Sequence, residues 1–304
     1  MPLDPYLAAM YAVPGDDEVL TAVQERAAHR TRTLAARPAD YADDGLEVTD
    51  DYADQIPLRV YRPIGDQARP TAVYFHGGGW VLGDLDTHDW LARAIAIATD
   101  AVVVSVHYRL APEHAFPAAL DDAFAATCWA DDHLGELGGA SLAVAGDSAG
   151  GGLAAGVSLR WPPAGRAPLA AQLLLYPALD LTLGSPSLVE NAVGNGLRSV
   201  DMQWFVDQYA PVALDRLDPY ASPLLASDVG NSPPTVVVTA AYDPLRDEGD
   251  RYAARLRDAG VRVDHRCFPT LAHSFMKPEL VAAVPDARTA TTESLRLFAD
   301  LLEA

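Results

Sequence analysis

The sequence is poor in cysteine and in positive charge. Its two cysteines, Cys128 and Cys267, are far apart among 304 residues and form no C-x-x-C pair. This excludes a disulfide framework and the usual spacing of a zinc or redox site, and it predicts two buried, reduced thiols. Lysine and arginine number 22 against 42 acidic residues, a formal net charge of -20. Because such a surface repels phosphates, we expect no nucleic-acid partner and no stable membrane association.

Long apolar runs, internal repeats and low-complexity tracts are also absent from the sequence. The first twenty residues lack a basic segment followed by an apolar core, and no stretch offers about 18 uncharged apolar residues. These absences predict a soluble, cytoplasmic protein. Half of the residues are hydrophobic, which is enough for a sizeable core in one large domain.

Short β-branched runs alternate with helical patterns along most of the chain. The helical patterns include residues 87–100 and 116–134. Strands are predicted at 46–50, 57–63, 71–77, 101–108, 141–146, 170–177, 234–240 and 261–268. Because buried strands separated by helices form parallel sheets, the pattern predicts an α/β fold. The first two runs alternate in polarity and lie close together, so they predict an antiparallel pair.

Two segments, about 1–45 and 181–220, do not follow this alternation. In the second segment, helical spacing relates Met202, Phe205, Val206 and Tyr209. Both segments are additional to a complete sheet. We therefore predict a single domain over residues 1–304, with a helical cap built from these two segments.

Residues 146–150 read Gly-Asp-Ser-Ala-Gly between a predicted strand and a predicted helix. A tight strand-to-helix turn requires small residues two positions before and after the serine, at Gly146 and Gly150. Such a turn exposes the hydroxyl of Ser148 at the edge of the sheet, where the helix N-terminus favours developing negative charge. The alternative interpretation is a glycine-rich helix start with an incidental N-cap serine.

A serine hydroxyl needs a base and an orienting carboxylate to act as a nucleophile. Asp243 follows the predicted strand 234–240, and His273 follows the predicted strand 261–268. Both side chains are therefore expected at the same sheet edge as Ser148. The chain order Ser148, Asp243, His273 is the order of an α/β-hydrolase triad.

Three other titratable residues compete with this assignment. Asp247 and Glu248 lie one turn beyond Asp243, and we interpret them as surface or structural carboxylates. His265 lies inside the last predicted strand, where its backbone is committed to the sheet, which makes it a poorer base.

A glycine-rich loop, HGGGW at residues 76–80, follows the third predicted strand. Glycines let backbone N–H groups approach a ligand closely, as stabilisation of an oxyanion requires. We predict the oxyanion donors as Gly77, Gly78 and Ala149, and we interpret His76 as an anchor of the loop. No phosphate-binding glycine pattern accompanies it, which disfavours a nucleotide site.

The segments HGGGW, YRLAPEHAFPAALDD, GDSAGG and DPLRDEG together resemble the hormone-sensitive-lipase-like family of α/β-hydrolase esterases, from about residue 60 to the C-terminus. The resemblance implies an eight-stranded, mostly parallel sheet with a helical cap. It also implies hydrolysis of esters with short to medium acyl chains, with Ser148, Asp243 and His273 as triad and without metal or cofactor. Members of the GDSAG-bearing branch often form dimers, so a homodimer is expected. Arg109 and Glu113 are interpreted as structural.

The sequence departs from this family after the histidine, where Ser274 replaces the usual glycine. If that glycine serves a positive φ, Ser274 is strained or the loop turns differently. The substrate pocket is expected to include Trp80, Trp204, Phe205 and Tyr209. Two alternatives stay open: a lactone or amide hydrolase or peptidase on the same fold, and a non-catalytic ligand-binding protein of this fold.

Overall fold

The computed structural model describes residues 1–12, 20–36, 45–162 and 165–303. These residues contain one eight-stranded sheet. Its strands are β1 (Leu46–Ala53), β2 (Ile56–Pro63), β3 (Arg69–Phe75), β4 (Val102–Val106), β5 (Gly139–Asp147), β6 (Gln172–Leu175), β7 (Thr235–Tyr242) and β8 (Val263–Ala272). Every predicted strand is confirmed, with its bounds shifted by a few residues.

The strands lie in the order β1-β2-β4-β3-β5-β6-β7-β8. β1 and β2 are antiparallel, as predicted, and so are β2 and β4. All other neighbouring pairs are parallel. Because parallel strands end at one edge of a sheet, the residues that follow β3, β5, β7 and β8 meet at that edge.

Helices cover both faces of the sheet. They are α1 (Pro5–Tyr11), α2 (Ala22–Ala35), α3 (Asp89–Thr99), α4 (Ala118–Asp132), α5 (Leu134–Leu137), α6 (Ala149–Arg160), α7 (Ser187–Glu190), α8 (Ser199–Tyr209), α9 (Arg246–Asp258), α10 (Pro278–Ala283) and α11 (Pro285–Leu302). The helical patterns at 87–100 and 116–134 are confirmed as α3 and α4. Among the described residues, no helix has both the length and the apolar character that crossing a bilayer requires.

Two hydrophobic clusters lie on opposite faces of the sheet. Along β3, Val73 and Phe75 belong to one cluster, whereas Ala72 and Tyr74 belong to the other. This alternation follows from the two-residue period of a strand. Helices α4, α6 and α9 pack on the first face, and α3 and α11 on the second. The central strands are therefore buried on both sides, as their continuous apolar runs predicted.

The two segments that fall outside the alternation contribute α1, α2, α7 and α8. The predicted helical stripe lies on α8, where Met202, Val206 and Tyr209 are buried and Phe205 is half-buried. Residues 13–19 and 37–44 of the first segment lie outside the described residues.

Helix α2 is joined to the sheet domain through Arg26. Its guanidinium donates to Val81 O at 2.6 Å and to Glu113 Oε1 at 2.8 Å. Arg109 binds Asp122 in a bidentate ion pair nearby. The segment YRLAPE therefore acts through ion pairs and hydrogen bonds within the fold, which confirms its structural interpretation.

The prediction that both cysteines are buried is wrong. Cys128 is half-buried in α4, and Cys267 is exposed on β8; both thiols are free. Because β8 lies at the edge of the sheet, other elements cover it less completely than they cover the central strands.

Candidate active site

Ser148 occupies the sharp turn between β5 and α6. Its backbone has φ 55° and ψ -118°, a positive φ that residues with side chains rarely adopt. A Cβ on Gly146 would lie 2.1 Å from the backbone oxygen of Gly150, and a Cβ on Gly150 would lie 1.9 Å from that of Phe75. Both positions therefore require glycine, as the turn predicted.

Ser148, His273 and Asp243 form a continuous series of hydrogen bonds. His273 Nε2 is 2.9 Å from Ser148 Oγ, and His273 Nδ1 is 2.7 Å from Asp243 Oδ2. Asp243 is fully buried, whereas Ser148 and His273 are each 8% exposed. An ionised carboxylate only accepts hydrogen bonds, so Asp243 fixes the proton on Nδ1 and leaves the lone pair of Nε2 toward the hydroxyl.

The loop after His273 adopts the conformation that a glycine would provide. Ser274 has φ 58°, in the left-handed region. For a residue with a side chain, this conformation costs about 1–2 kcal/mol. The loop therefore keeps its turn with the expected strain at Ser274, and His273 remains within hydrogen-bond distance of both partners.

The competing titratable residues are engaged elsewhere. Asp247 accepts the N–H of Ser187 at 2.8 Å, and buried Glu248 accepts two backbone N–H groups. His265 Nε2 lies 2.9 Å from Asp250 Oδ1. Their interpretation as structural residues is confirmed, because each is bound to a partner other than Ser148.

The prediction that Gly77 is an oxyanion donor is wrong. Its N–H donates to Asp147 Oδ1 at 2.9 Å. Gly78 and Gly79 line the same cavity as Ala149. Within the described part of the chain, no acceptor is hydrogen-bonded to the N–H groups of these three residues. The sequence does not distinguish three consecutive glycines, and which of them face the cavity depends on the conformation of the loop.

Asp147, beside the nucleophile, fixes the glycine-rich loop. Its Oδ1 accepts a hydrogen bond from the hydroxyl of Tyr74 at 2.6 Å, in addition to the one from the N–H of Gly77. Burial raises the pKa of Asp147, and the hydrogen bond from Tyr74 opposes this rise. Sequence reasoning missed this role, although the signal was present in the acidic residue of the GDSAG segment.

Buried His76 and half-buried His88 lie at the same loop, with 5.2 Å between their ring centroids. His76 Nδ1 lies 2.8 Å from Gly77 O and 3.2 Å from the hydroxyl of Tyr108. Burial lowers the pKa of His76 to about 3, and that of His88 to about 3. Both imidazoles are therefore neutral at pH 7, and the interpretation of His76 as a loop anchor is confirmed.

A cavity of about 960 Å³ adjoins Ser148 and His273. Its wall includes the predicted aromatic residues Trp80, Trp204 and Phe205, but not Tyr209. Tyr209 is buried behind the wall and stacks on Trp80 with 4.4 Å between ring centroids. Its prediction as a lining residue is wrong, because it lies at the end of α8 that packs into the core.

Sequence reasoning missed a polar part of the cavity wall. Helix α2 contributes Glu25, His29 and Arg32, and Lys277 follows the His273 loop. The first three residues are spaced as one face of a helix, which was a readable signal.

Comparison with known proteins places this architecture in a family. Residues 72–277 match the family model described as the alpha/beta hydrolase fold. The chain belongs to the hormone-sensitive-lipase-like family of α/β-hydrolase carboxylesterases. The predicted family and fold of this α/β hydrolase are therefore confirmed.

Several relatives are esterases by name. This α/β hydrolase is 46% identical over 236 residues to carboxylic ester hydrolase LipN of Mycobacterium tuberculosis. The match covers 74% of this chain and 62% of LipN, so the chain spans less than two thirds of that protein. It is 41% identical over 307 residues to esterase LipI of the same organism, covering 96% of its own length and 93% of LipI. A solved esterase from Pyrobaculum calidifontis matches with TM-score 0.91 and 38% identity, covering 100% of both chains.

Proposed function

We propose that this α/β hydrolase is a serine carboxylesterase in which Ser148 is the nucleophile, His273 the general base and Asp243 the orienting carboxylate. The observation that carries the proposal is the hydrogen-bonded series from Asp243 through His273 to Ser148, with distances of 2.7 and 2.9 Å. The esterase names of its relatives support the same reaction class.

The reaction proceeds through an acyl-enzyme. Ser148 Oγ attacks the ester carbonyl carbon while its proton passes to His273 Nε2. The bond from the carbonyl carbon to the alcohol oxygen then breaks, and His273 returns the proton to the departing alcohol. Water repeats these steps on the acyl-serine and releases the acid, so the residues of this chain supply every proton transfer.

The negative charge on the carbonyl oxygen is stabilised by the N–H groups of Gly78, Gly79 and Ala149. These three donors line the cavity and have no acceptor among the described residues, whereas the N–H of Gly77 is bound to Asp147. Ala149 is the first residue of α6, so the positive end of that helix adds to the stabilisation.

We further propose that residues 1–304 form one domain whose cap consists of the segments about 1–45 and 181–220. Cavity-lining residues come from both segments, including His29 and Phe205. Enclosure by the cap favours short to medium acyl chains. A cytoplasmic location and a homodimer stay predictions.

The experiment is hydrolysis of p-nitrophenyl esters from acetate to palmitate by the unmodified protein and by Ser148→Ala. We expect turnover to fall with chain length and to vanish in the variant. Ser158→Ala, which removes a buried hydroxyl from the same helix, is the matched control and should remain active. Retained turnover in Ser148→Ala would refute the nucleophile assignment. Faster turnover of lactones or aminoacyl amides than of esters would favour the alternative hydrolase classes.

A further inference from the structure

Lys277 is the single lysine among the 304 residues of the chain. It lies four residues beyond His273 and lines the same cavity as Ser148 and His273. The formal net charge of the chain is -20, so an ammonium group at this cavity opposes the overall charge. This placement identifies the Lys277 side of the cavity as a site for negative charge.

The other cations of the cavity wall are already paired. Arg32 binds Glu25 at 2.7 Å, and Arg198 binds Asp201 at 2.7 Å. Lys277 forms no ion pair with any described residue, and its side chain is exposed. Its charge is therefore available to a substrate in the cavity.

His29 also lines the cavity, and the charge of Lys277 acts on it. Its Nε2 is buried and has no hydrogen-bond partner among the described residues, although His29 lines the cavity. Burial and then the charge of Lys277 lower the pKa of His29 to about 4, so its imidazole is neutral at pH 7. His29 therefore adds no charge of its own to the cavity wall.

The carboxylates around His29 and Lys277 form no ion pair with Lys277 among the described residues. Asp84, the acidic group that acts on His29, is bound by Arg30. Glu279 also lines the cavity, but its charge acts on Tyr11, whose pKa burial and Glu279 raise to about 12. Lys277 therefore places on the cavity wall a positive charge that no ion pair with a described residue neutralises.

We propose that the substrates of this site carry a carboxylate, bound by the ammonium group of Lys277. The inference rests on the proposed esterase function and adds the substrate class to it. A neutral ester gains nothing from the charge of Lys277, whereas a carboxylate forms a charge-assisted hydrogen bond with its ammonium group.

The experiment compares matched substrates that differ in one charge. In the first pair, 4-acetoxybenzoate and 4-acetoxybenzamide, the carboxylate or amide lies in the alcohol part of the ester. In the second pair, monoethyl glutarate and ethyl glutaramate, it lies in the acid part. The readout is the ratio of kcat/KM for the carboxylate to kcat/KM for the amide. We expect a ratio of roughly ten in one of the two pairs, falling with added salt because Lys277 is exposed.

Lys277→Met should bring that ratio close to one, and Lys277→Arg should preserve most of it. His29→Phe leaves the ammonium group in place and should also preserve most of the ratio. Arg296→Met is the matched control: it removes one exposed positive charge from α11, outside the cavity wall, and should retain the ratio of the unmodified protein.

Three outcomes would overturn the inference. The first is a ratio of one or less in both pairs with the unmodified protein. The second is a ratio that Lys277→Met leaves unchanged. The third is an equal loss in Arg296→Met, which would assign the preference to net charge. Failure to hydrolyse even the amide-bearing esters would instead refute the esterase function and, with it, this inference.

Discussion

Asp147 gives the sharpest test of how the glycine-rich loop is positioned. In Asp147→Ala, the N–H of Gly77 and the hydroxyl of Tyr74 lose their common acceptor, which receives them at 2.9 and 2.6 Å. Each buried donor left without a partner costs about 1–3 kcal/mol, so the two together cost about 2–6 kcal/mol. The loop relieves this cost by moving, which displaces the N–H groups of Gly78 and Gly79.

The expected kinetic result is a fall in kcat of about 10²-fold with little change in KM, comparable to the loss of one oxyanion donor. Asp147→Asn keeps an acceptor oxygen for both donors and should lose roughly tenfold or less. Steady-state hydrolysis of p-nitrophenyl acetate measures both variants. Unchanged kcat in Asp147→Ala, or equal losses in the two variants, would refute the argument that these hydrogen bonds hold the loop.

The raised pKa of Asp147 predicts that the stability of the unmodified protein, compared with that of Asp147→Asn, depends on pH. Burial raises the pKa of Asp147 in the folded state, so its favourable contribution is complete below the unfolded pKa and is lost as pH rises through the folded value. The free energy of unfolding of the unmodified protein should therefore increase, relative to Asp147→Asn, as pH falls from 7 towards 4. Urea unfolding measures this difference, and a difference independent of pH would contradict it.

Three further predictions concern the triad, the turn and the histidines. Asp243→Asn should lower kcat by about 10⁴-fold, because the amide favours the wrong tautomer of His273; unchanged kcat in the ester assay would contradict this. Gly150→Ala should destabilise by about 3 kcal/mol or more in urea unfolding, since its Cβ would lie 1.9 Å from a backbone oxygen of β3. Gly135→Ala, with open space around its Cβ, is the control and should cost little. Burial lowers the pKa of His88 to about 3, so stability present above pH 6.5 should be lost towards pH 3, and His88→Gln should reduce that loss in acid unfolding.

The sequence allowed much of the fold to be predicted because its signals are local. Continuous apolar runs mark the buried strands, and Gly146 and Gly150 are required by backbone approaches of about 2 Å at the turn. The chain positions of Asp243 and His273, each after a strand, were sufficient to place them at one sheet edge. These inferences need only the period of a strand and the geometry of a parallel sheet.

Other features depend on three-dimensional packing that the sequence does not encode locally. The donor pair in the glycine-rich loop depends on Asp147, which lies seventy positions from Gly77 and binds its N–H. Tyr209 has the spacing of a lining residue but packs behind Trp80, because it lies at the end of α8 that packs into the core. The exposure of Cys267 depends on the position of β8 at the edge of the sheet, which only the assembled topology shows.

The order of the site residues along the chain also has a consequence for protein synthesis. His273 lies 273 − 148 = 125 residues after Ser148, and their hydrogen bond joins the ends of β5 and β8. At about 5–20 residues per second, a ribosome adds the histidine about 6–25 s after the serine. Throughout that interval the nascent chain carries a serine without its base, so ester hydrolysis begins only when the last strand has joined the sheet. Premature termination before residue 273 therefore releases polypeptides that lack the proposed base.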